Sequence, residues 1–435
     1  VPGPDPLPIA TYKFARDPYS YFADCQRRLG PVFQSWLAGR RIVLTGEPEH
    51  VRTIFAADHD HVGAFNPGHL HALLGQNSLI LIDGVRHQRE HKLLAPPLHG
   101  ARMRSYARII RDSALRRCAA WQVGVPMIMQ DTTQGVSLDV IVRAVFGVQE
   151  PARGAALEAT LLRTMDAVWP PSIMIRWLQR DLGPFTPWRR FARARERADA
   201  MVREEIAARR DAPGEDILSL MLAARYDDGE AMTDPQIRDE LLTLLAAGHE
   251  TTAIALAWAM YWLHRDPAAL ERLRAELATL GDEPDPEAIA QLPYLEAVCN
   301  ETLRLYPPVW VNPRTAIAAD EIDGIAVAPG SAILPMIYAV HRHPDFWPDP
   351  ERFDPERFTP AAAHDRHPCA YLPFGAGSRV CLGMNFALQE MTMLLATVAQ
   401  RFQFTLAPGQ QLDIDPNAGT LRARDPLLVR LEHRR

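Results

Sequence analysis

Paired cysteines are missing from this sequence. The five that occur, Cys25, Cys118, Cys299, Cys369 and Cys381, are odd in number and scattered, with no CxxC among them. That excludes a disulfide framework or a zinc ribbon and suits a reducing, cytoplasmic setting. A basic excess is missing as well: with a formal net charge of -6, neither nucleic acid nor an anionic membrane surface is an expected partner. No Gly/Ser linker, repeat or low-complexity tract divides the chain, so residues 1–435 read as a single domain. A nucleotide-binding glycine loop is absent, because Gly375-Ala376-Gly377 lacks the third glycine and the preceding strand. The first residues, Val1-Pro2-Gly3-Pro4, carry no signal-peptide pattern.

One long apolar run exists, residues 241–264, with His249-Glu250-Thr251-Thr252 near its centre. A carboxylate there would cost about 2.5 kcal/mol or more in lipid. A helix buried inside a soluble protein, beside a polar cavity, is the expected solution, with no membrane span.

What is present is enough apolar residue for a large core, 47% against 23% charged. Helical periodicity marks residues 196–209, 234–264, 267–280, 294–305 and 382–402. Short alternating runs at 31–36, 41–45, 321–327, 402–406 and 427–431 read as strands. The expected fold class is mainly α with small peripheral β-sheets. The 37 prolines fall mostly between helices, and the stretch 343–350 is too proline-rich for a helix or central strand, so it should be an irregular loop.

The segment Phe374-Gly375-Ala376-Gly377-Ser378-Arg379-Val380-Cys381-Leu382-Gly383 leads into an apolar helix. Cys381 therefore falls at a helix N-terminus, where N–H groups and the dipole favour a thiolate. Gly375 and Gly377 permit a tight turn around the sulfur, and Gly383 clears space for a flat ligand. Arg379 can reach an anionic edge of that ligand. A buried structural cysteine is the plain alternative. The complete pattern resembles the haem-binding signature of the cytochrome P450 family, F-x-x-G-x-R-x-C-x-G, at Phe374, Gly377, Arg379, Cys381 and Gly383.

That resemblance implies the cytochrome P450 fold, a haem b (iron-protoporphyrin IX) held by Cys381, a propionate contact from Arg379, and dioxygen as co-substrate. Two further segments share it. Glu301-Thr302-Leu303-Arg304 is similar to the family's E-x-x-R, whose spacing puts both side chains on one helical face. With Arg357, from Phe353-Asp354-Pro355-Glu356-Arg357-Phe358, the pair is expected to form a buried network securing the cysteine loop. Ala247-Gly248-His249-Glu250-Thr251-Thr252 is similar to A-G-x-[DE]-T-T. There Ala247 and Gly248 would leave room over the porphyrin, Glu250 would relay protons and Thr251 would hold dioxygen. The zinc-protease reading of His249-Glu250 ends at Ala253.

Further haem contacts implied are His87 and His91, the latter standing where the family has arginine, and Arg314. Arg89 and Lys92 read as surface charge. The substrate pocket is expected at Leu79, Leu81, Trp169, Ile173, Ala247, Thr251, Val309, Trp310 and Thr420, apolar enough for a fatty acid, terpenoid, steroid or polyketide. Electrons are expected from a ferredoxin or flavodoxin with its reductase, docking on Arg86, Arg89, Arg102, Arg104 and Arg366 of a monomer. The leading function is monooxygenation by hydroxylation or epoxidation. A peroxide-driven or isomerising haem-thiolate enzyme, or a gas sensor or carrier, are the alternatives.

Overall fold

The structure is a computed structural model describing residues 7–433 except 38–39, 67, 69, 101, 169–177, 181–182, 184–185, 282–283 and 417. Two compact units interleave along the chain: the first comprises residues 1–65, 114–134 and 251–435, the second 66–113 and 135–250. The mainly α character with small sheets is present.

All ten named strands lie in the first unit. β1 (Val32–Leu37), β2 (Arg40–Thr45), β8 (Ala332–Pro335), β5 (Arg314–Ala316) and β3 (Val62–Ala64) make one sheet in that order. Only the β2–β8 pairing is parallel, with Val43 opposite Ile333. The buried face packs Val43, Ile333 and Val62 on Val51, Ile54 and Phe55 of the helix Pro48–Ala56. β4 (Pro126–Ile128), β10 (Leu428–His433) and β9 (Phe402–Leu406) form a second sheet. Residues 321–327, expected as one alternating run, are instead a hairpin of β6 (Asp320–Ile322) and β7 (Ile325–Val327). Asp323 and Gly324 turn it with φ of 47° and 75°, a conformation that aspartate and glycine tolerate.

Helix starts follow side-chain caps. The 196–209 periodicity belongs to the longer helix Pro187–Asp211, because Thr186 accepts the Arg189 N–H and Pro187 fits the first turn. The helix Pro293–Leu305 is capped from outside: Glu276 accepts the N–H groups of Tyr294 at 2.8 Å and Leu295 at 2.9 Å. Its residues from Ala297 to Leu305 are buried apart from Asn300, which is why it reads as strongly apolar.

The long helix Asp234–Arg265 is long and apolar enough to cross a membrane, but 61% of its most apolar window is buried within the protein. Its apolarity is thus accounted for by packing. The proline-rich stretch 343–350 forms turns, as expected, around a fully buried Trp347 whose indole N–H donates to the Ala370 carbonyl.

Candidate active site

In the first unit, Cys381 closes a loop entered through Leu372. Its N–H donates to the Phe374 carbonyl at 3.0 Å, and Gly375 N–H returns to the Leu372 carbonyl at 3.1 Å. Gly375 and Gly377 take φ of 70° and 72°. A Cβ on Gly377 would also strike the Phe55 carbonyl oxygen, and one on Gly375 would lie 2.8 Å from Asn312 Nδ2. Gly377 therefore needs glycine on two counts, backbone conformation and contact, and Gly375 on its positive φ. Gly383 differs: a Cβ there would sit 3.9 Å from the Cys381 sulfur, an ordinary contact. No atom among the described residues accounts for that glycine, whereas a flat group lying over the sulfur would.

The helix beyond begins at Met384 rather than at residue 382, with Gly383 as its N-cap. Cys381 thus lies two residues before the cap and not at the helix N-terminus itself, as the sequence suggested. Burial pushes the Cys381 thiol up, against the pull of the Gly383 N–H. The residue has exposed surface, but protein crowds the sulfur from behind, and that crowding disfavours charge. A metal cation at the open side is what would ionise it. Residues 382–389 are only partly buried, whereas 390–399 are buried throughout. The open stretch is a cradle that an apolar plate would complete.

Behind this loop the expected ionic network is formed. Glu301 and Arg304 are both fully buried and paired twice, Nε to Oε2 at 2.6 Å and Nη2 to Oε1 at 2.8 Å. The Asp354 N–H donates to Glu301 Oε1 at 2.9 Å, and Arg357 Nε lies 3.5 Å from the same oxygen. Arg304 also donates to the carbonyls of His341, Pro350 and Arg352. Burial raises the Glu301 carboxyl while both arginines and the Asp354 N–H pull it back. Every donor direction of the guanidinium that can reach a partner has one, which is the condition for a buried pair to hold.

Arg314, on β5, is buried; its guanidinium donates to Asn312 Oδ1 at 2.6 Å and lies 4.8 Å over the Phe55 ring. Phe55 therefore touches both Arg314 and Gly377, a role nothing in its sequence context signalled. The Thr420 turn and the Val309 segment are brought together, since Leu421 N–H donates to the Pro308 carbonyl at 3.0 Å. Val309 is 44% exposed, but Trp310 is core: its ring packs on Phe14 and Tyr19.

In the second unit, His87 is buried and its ring stands 5.6 Å from that of His91. Leu81 is core and Leu79 partly buried. Along the long helix, Leu244, Ala247, Gly248 and Thr251 share one face and are not buried, while the following turns, residues 252–261, are. A Cβ on Gly248 would meet Ile141 Cδ1 at 3.4 Å, so its smallness also serves packing on the helix Met129–Ala144. His249 points into protein, its Nδ1 donating to the Leu245 carbonyl, and burial lowers its pKa, so it is neutral. Trp169 and Ile173 lie outside the described residues.

The sequence model of cytochrome P450 matches residues 1–431. This chain belongs to the cytochrome P450 family. It is 35% identical over 401 residues to cytochrome P450 135B1 of Mycobacterium tuberculosis, spanning 88% of this chain and 81% of that one. The cytochrome P450 138 of the same organism is 35% identical over 402 residues, 88% and 86% of the two chains. Both relatives are named by family assignment and not by a demonstrated reaction. Among solved structures, retinoic acid-bound cyanobacterial CYP120A1 superposes with a TM-score of 0.85 at 30% identity, over 97% and 96% of the two chains. The cytochrome P450DA haem domain gives 0.86 at 25% identity, over 100% and 98%.

Membership of the P450 family implies a haem cofactor and the use of dioxygen. The donor set fits that group: a crowded thiol with one open side, a glycine that no contact among the described residues requires, and buried Arg314. The cations first expected to attract an electron donor are less available in this P450 than their sequence suggests. Arg86 pairs with Glu90 and Asn77, Arg89 with Asp228 and Glu230, and Arg366 is sandwiched on Trp347 and Phe358. Arg102 and Arg104 are exposed. Arg89 and Lys92 are surface ion pairs, Lys92 with Asp227, as expected.

Proposed function

We propose that this P450 is a monooxygenase acting as a single domain over residues 1–435, with Cys381 as the ligand of a haem b iron. A thiolate-bound haem supplies the activation of dioxygen and the insertion of one oxygen atom into a C–H or C=C bond. Everything else is done by side chains of the chain. Arg379 and Arg314, with His87 and His91, would hold the propionates. Ala247 leaves the porphyrin face clear, and Thr251, on the same face, offers a hydroxyl to dioxygen. Glu250, next in chain, carries protons inward from the helix surface.

The substrate is a hydrophobic small molecule, hydroxylated or epoxidised. The apolar residues around Leu79 and Val309 support that reading, and so does the retinoic acid, a largely hydrocarbon acid, in the name of the CYP120A1 structure. A ferredoxin or flavodoxin with its reductase supplies electrons, since no nucleotide-binding loop occurs in this chain, and the setting is cytoplasmic.

The single observation that carries the proposal is Cys381, open on one side and backed by a fully buried Glu301–Arg304 pair. The ferrous protein with carbon monoxide is expected to show a thiolate-type difference spectrum, and Cys381→Ser to abolish it. A normal spectrum in that variant overturns the assignment. With a surrogate ferredoxin system, wild type should consume oxygen in step with reducing equivalents and substrate. Failure to do so under all redox systems, with the spectrum intact, would point away from monooxygenation.

A further inference from the structure

His341 has no part in the family motifs read from the sequence, yet it is 0% exposed and stands between the E-x-x-R helix and the cysteine loop. Its Nδ1 lies 3.1 Å from the Arg304 carbonyl oxygen, and its Nε2 lies 2.8 Å from the Leu372 backbone nitrogen. A carbonyl can only accept and an amide N–H can only donate. The ring proton must therefore sit on Nδ1, and Nε2 must be the acceptor. One neutral tautomer satisfies both contacts, and the doubly protonated ring satisfies neither side of the Leu372 bond.

The surroundings enforce that tautomer. Burial, with the Arg304 and Arg342 guanidinium charges, pushes the imidazole down to about 3. The ring stacks on Tyr371 at 5.3 Å, and the Tyr371 hydroxyl donates to Asn300. The Arg304 guanidinium in turn donates to the His341 carbonyl at 3.0 Å, so the residue is gripped through both side chain and backbone.

What Nε2 holds is the entry of the loop. Leu372 is buried, and the chain after it is only partly so up to Gln389 apart from exposed Gly377, Ser378 and Cys381. The Leu372 carbonyl accepts Gly375 N–H, and the Phe374 carbonyl accepts Cys381 N–H. A continuous run of bonds thus leads from Glu301 and Arg304 through one imidazole to the backbone of Cys381.

We propose that His341 is a positioning residue for Cys381: its Nε2, by accepting the Leu372 N–H, transmits the rigidity of the buried Glu301–Arg304 pair to the loop that presents the sulfur. The inference rests on the reading of Cys381 as the iron ligand, and its test separates the two. Gln, whose carbonyl can reach the place of Nε2, retains the acceptor for Leu372. Asn, one carbon shorter, retains only the donor to the Arg304 carbonyl.

The experiment compares haem-loaded wild type, His341→Gln and His341→Asn by the ferrous–carbon monoxide spectrum and by amide hydrogen exchange of residues 372–383. In His341→Asn, exchange in that segment should rise roughly tenfold, the weight of about one hydrogen bond. Thiolate-type absorbance should pass to the thiol type as the sulfur loses its place. His341→Gln should keep the thiolate band and exchange within about twofold of wild type. Equal behaviour of the two variants, either both like wild type or both impaired, overturns the proposal. Should His341→Asn not fold, His341→Gln decides alone: loss of its band and protection refutes the positioning role. Absence of a thiolate band in wild type would refute the Cys381 reading, and the exchange arm would still judge His341.

Discussion

Two sets of buried carboxylates, one in each unit, meet the same electrostatic problem in opposite ways. In the first unit Glu301 is surrounded by donors: Arg304 twice, the Asp354 N–H, and Arg357 nearby. In the second, Glu90 and Glu240 are 1% and 2% exposed, and each keeps one oxygen with no hydrogen-bond partner, Glu90 Oε2 and Glu240 Oε1. Arg86 and Gln236 donate to the other oxygen of Glu90, while neighbouring Asp239 takes Arg238 and Asn77. Burial first, then the Glu90 charge, raises the Glu240 carboxyl well above the usual range, against the pull of the Leu79 N–H and the Arg86 charge. Both oxygens of Glu301 have donors, with Arg357 Nε left as the unpaired atom of that set, whereas in the second set burial holds Glu240 towards its neutral form. Burial of an acid in this protein does not by itself mean charge.

The largest effect is expected from breaking the first set. Glu301→Gln leaves Arg304 buried without its counter-ion and should cost about 3–5 kcal/mol in denaturant unfolding, with loss of bound haem. A cost under about 1 kcal/mol would show that the network is not what fixes the loop.

Glu240→Gln probes the other set with the opposite sign. A carboxyl whose folded pKa is raised binds its proton more tightly in the folded state, so wild-type stability is fullest below the ordinary carboxylate range. It declines as pH rises from there towards the folded pKa. The variant, which cannot ionise, should match wild type near pH 4. At pH 8 it should exceed wild type by about 1 kcal/mol, the scale of a relieved buried polar group. Equal urea midpoints at both pH values would mean that Glu240 is already ionised and stabilised in the fold.

The smallest effect belongs to the surface. Arg89→Ala removes pairs to Asp228 and Glu230 that are open to water, and no measurable change in melting temperature or haem content is expected at moderate salt. A drop in haem content would mean that Arg89, not its neighbours, faces the cofactor.

The sequence legibly presented the sites that depend on local spacing. Glu301 and Arg304 are three apart on a helix, so their shared face followed from helical geometry alone, and the Gly375–Gly377 turn followed from glycine's freedom at positive φ. Long-range contacts left no such trace. His341 is 37 residues from Arg304 and 31 from Leu372, and Phe55 reaches Gly377 from a different helix. A histidine and a phenylalanine look ordinary in sequence, because what makes them matter is which backbone groups they meet. The packing of Trp310 on Phe14 and Tyr19 is likewise long-range and invisible in sequence.

By itself, then, the sequence determined the family and the helical class, and singled out Cys381 as the candidate sulfur, through motifs whose spacing is fixed by helix and turn geometry. Tertiary structure decided the charge states. The thiol of Cys381 is pushed up, His341 and His249 are neutral and Glu240 is raised. The physical reason is that a pKa depends on desolvation and on the charges brought near in space, and neither is written in the local order of residues.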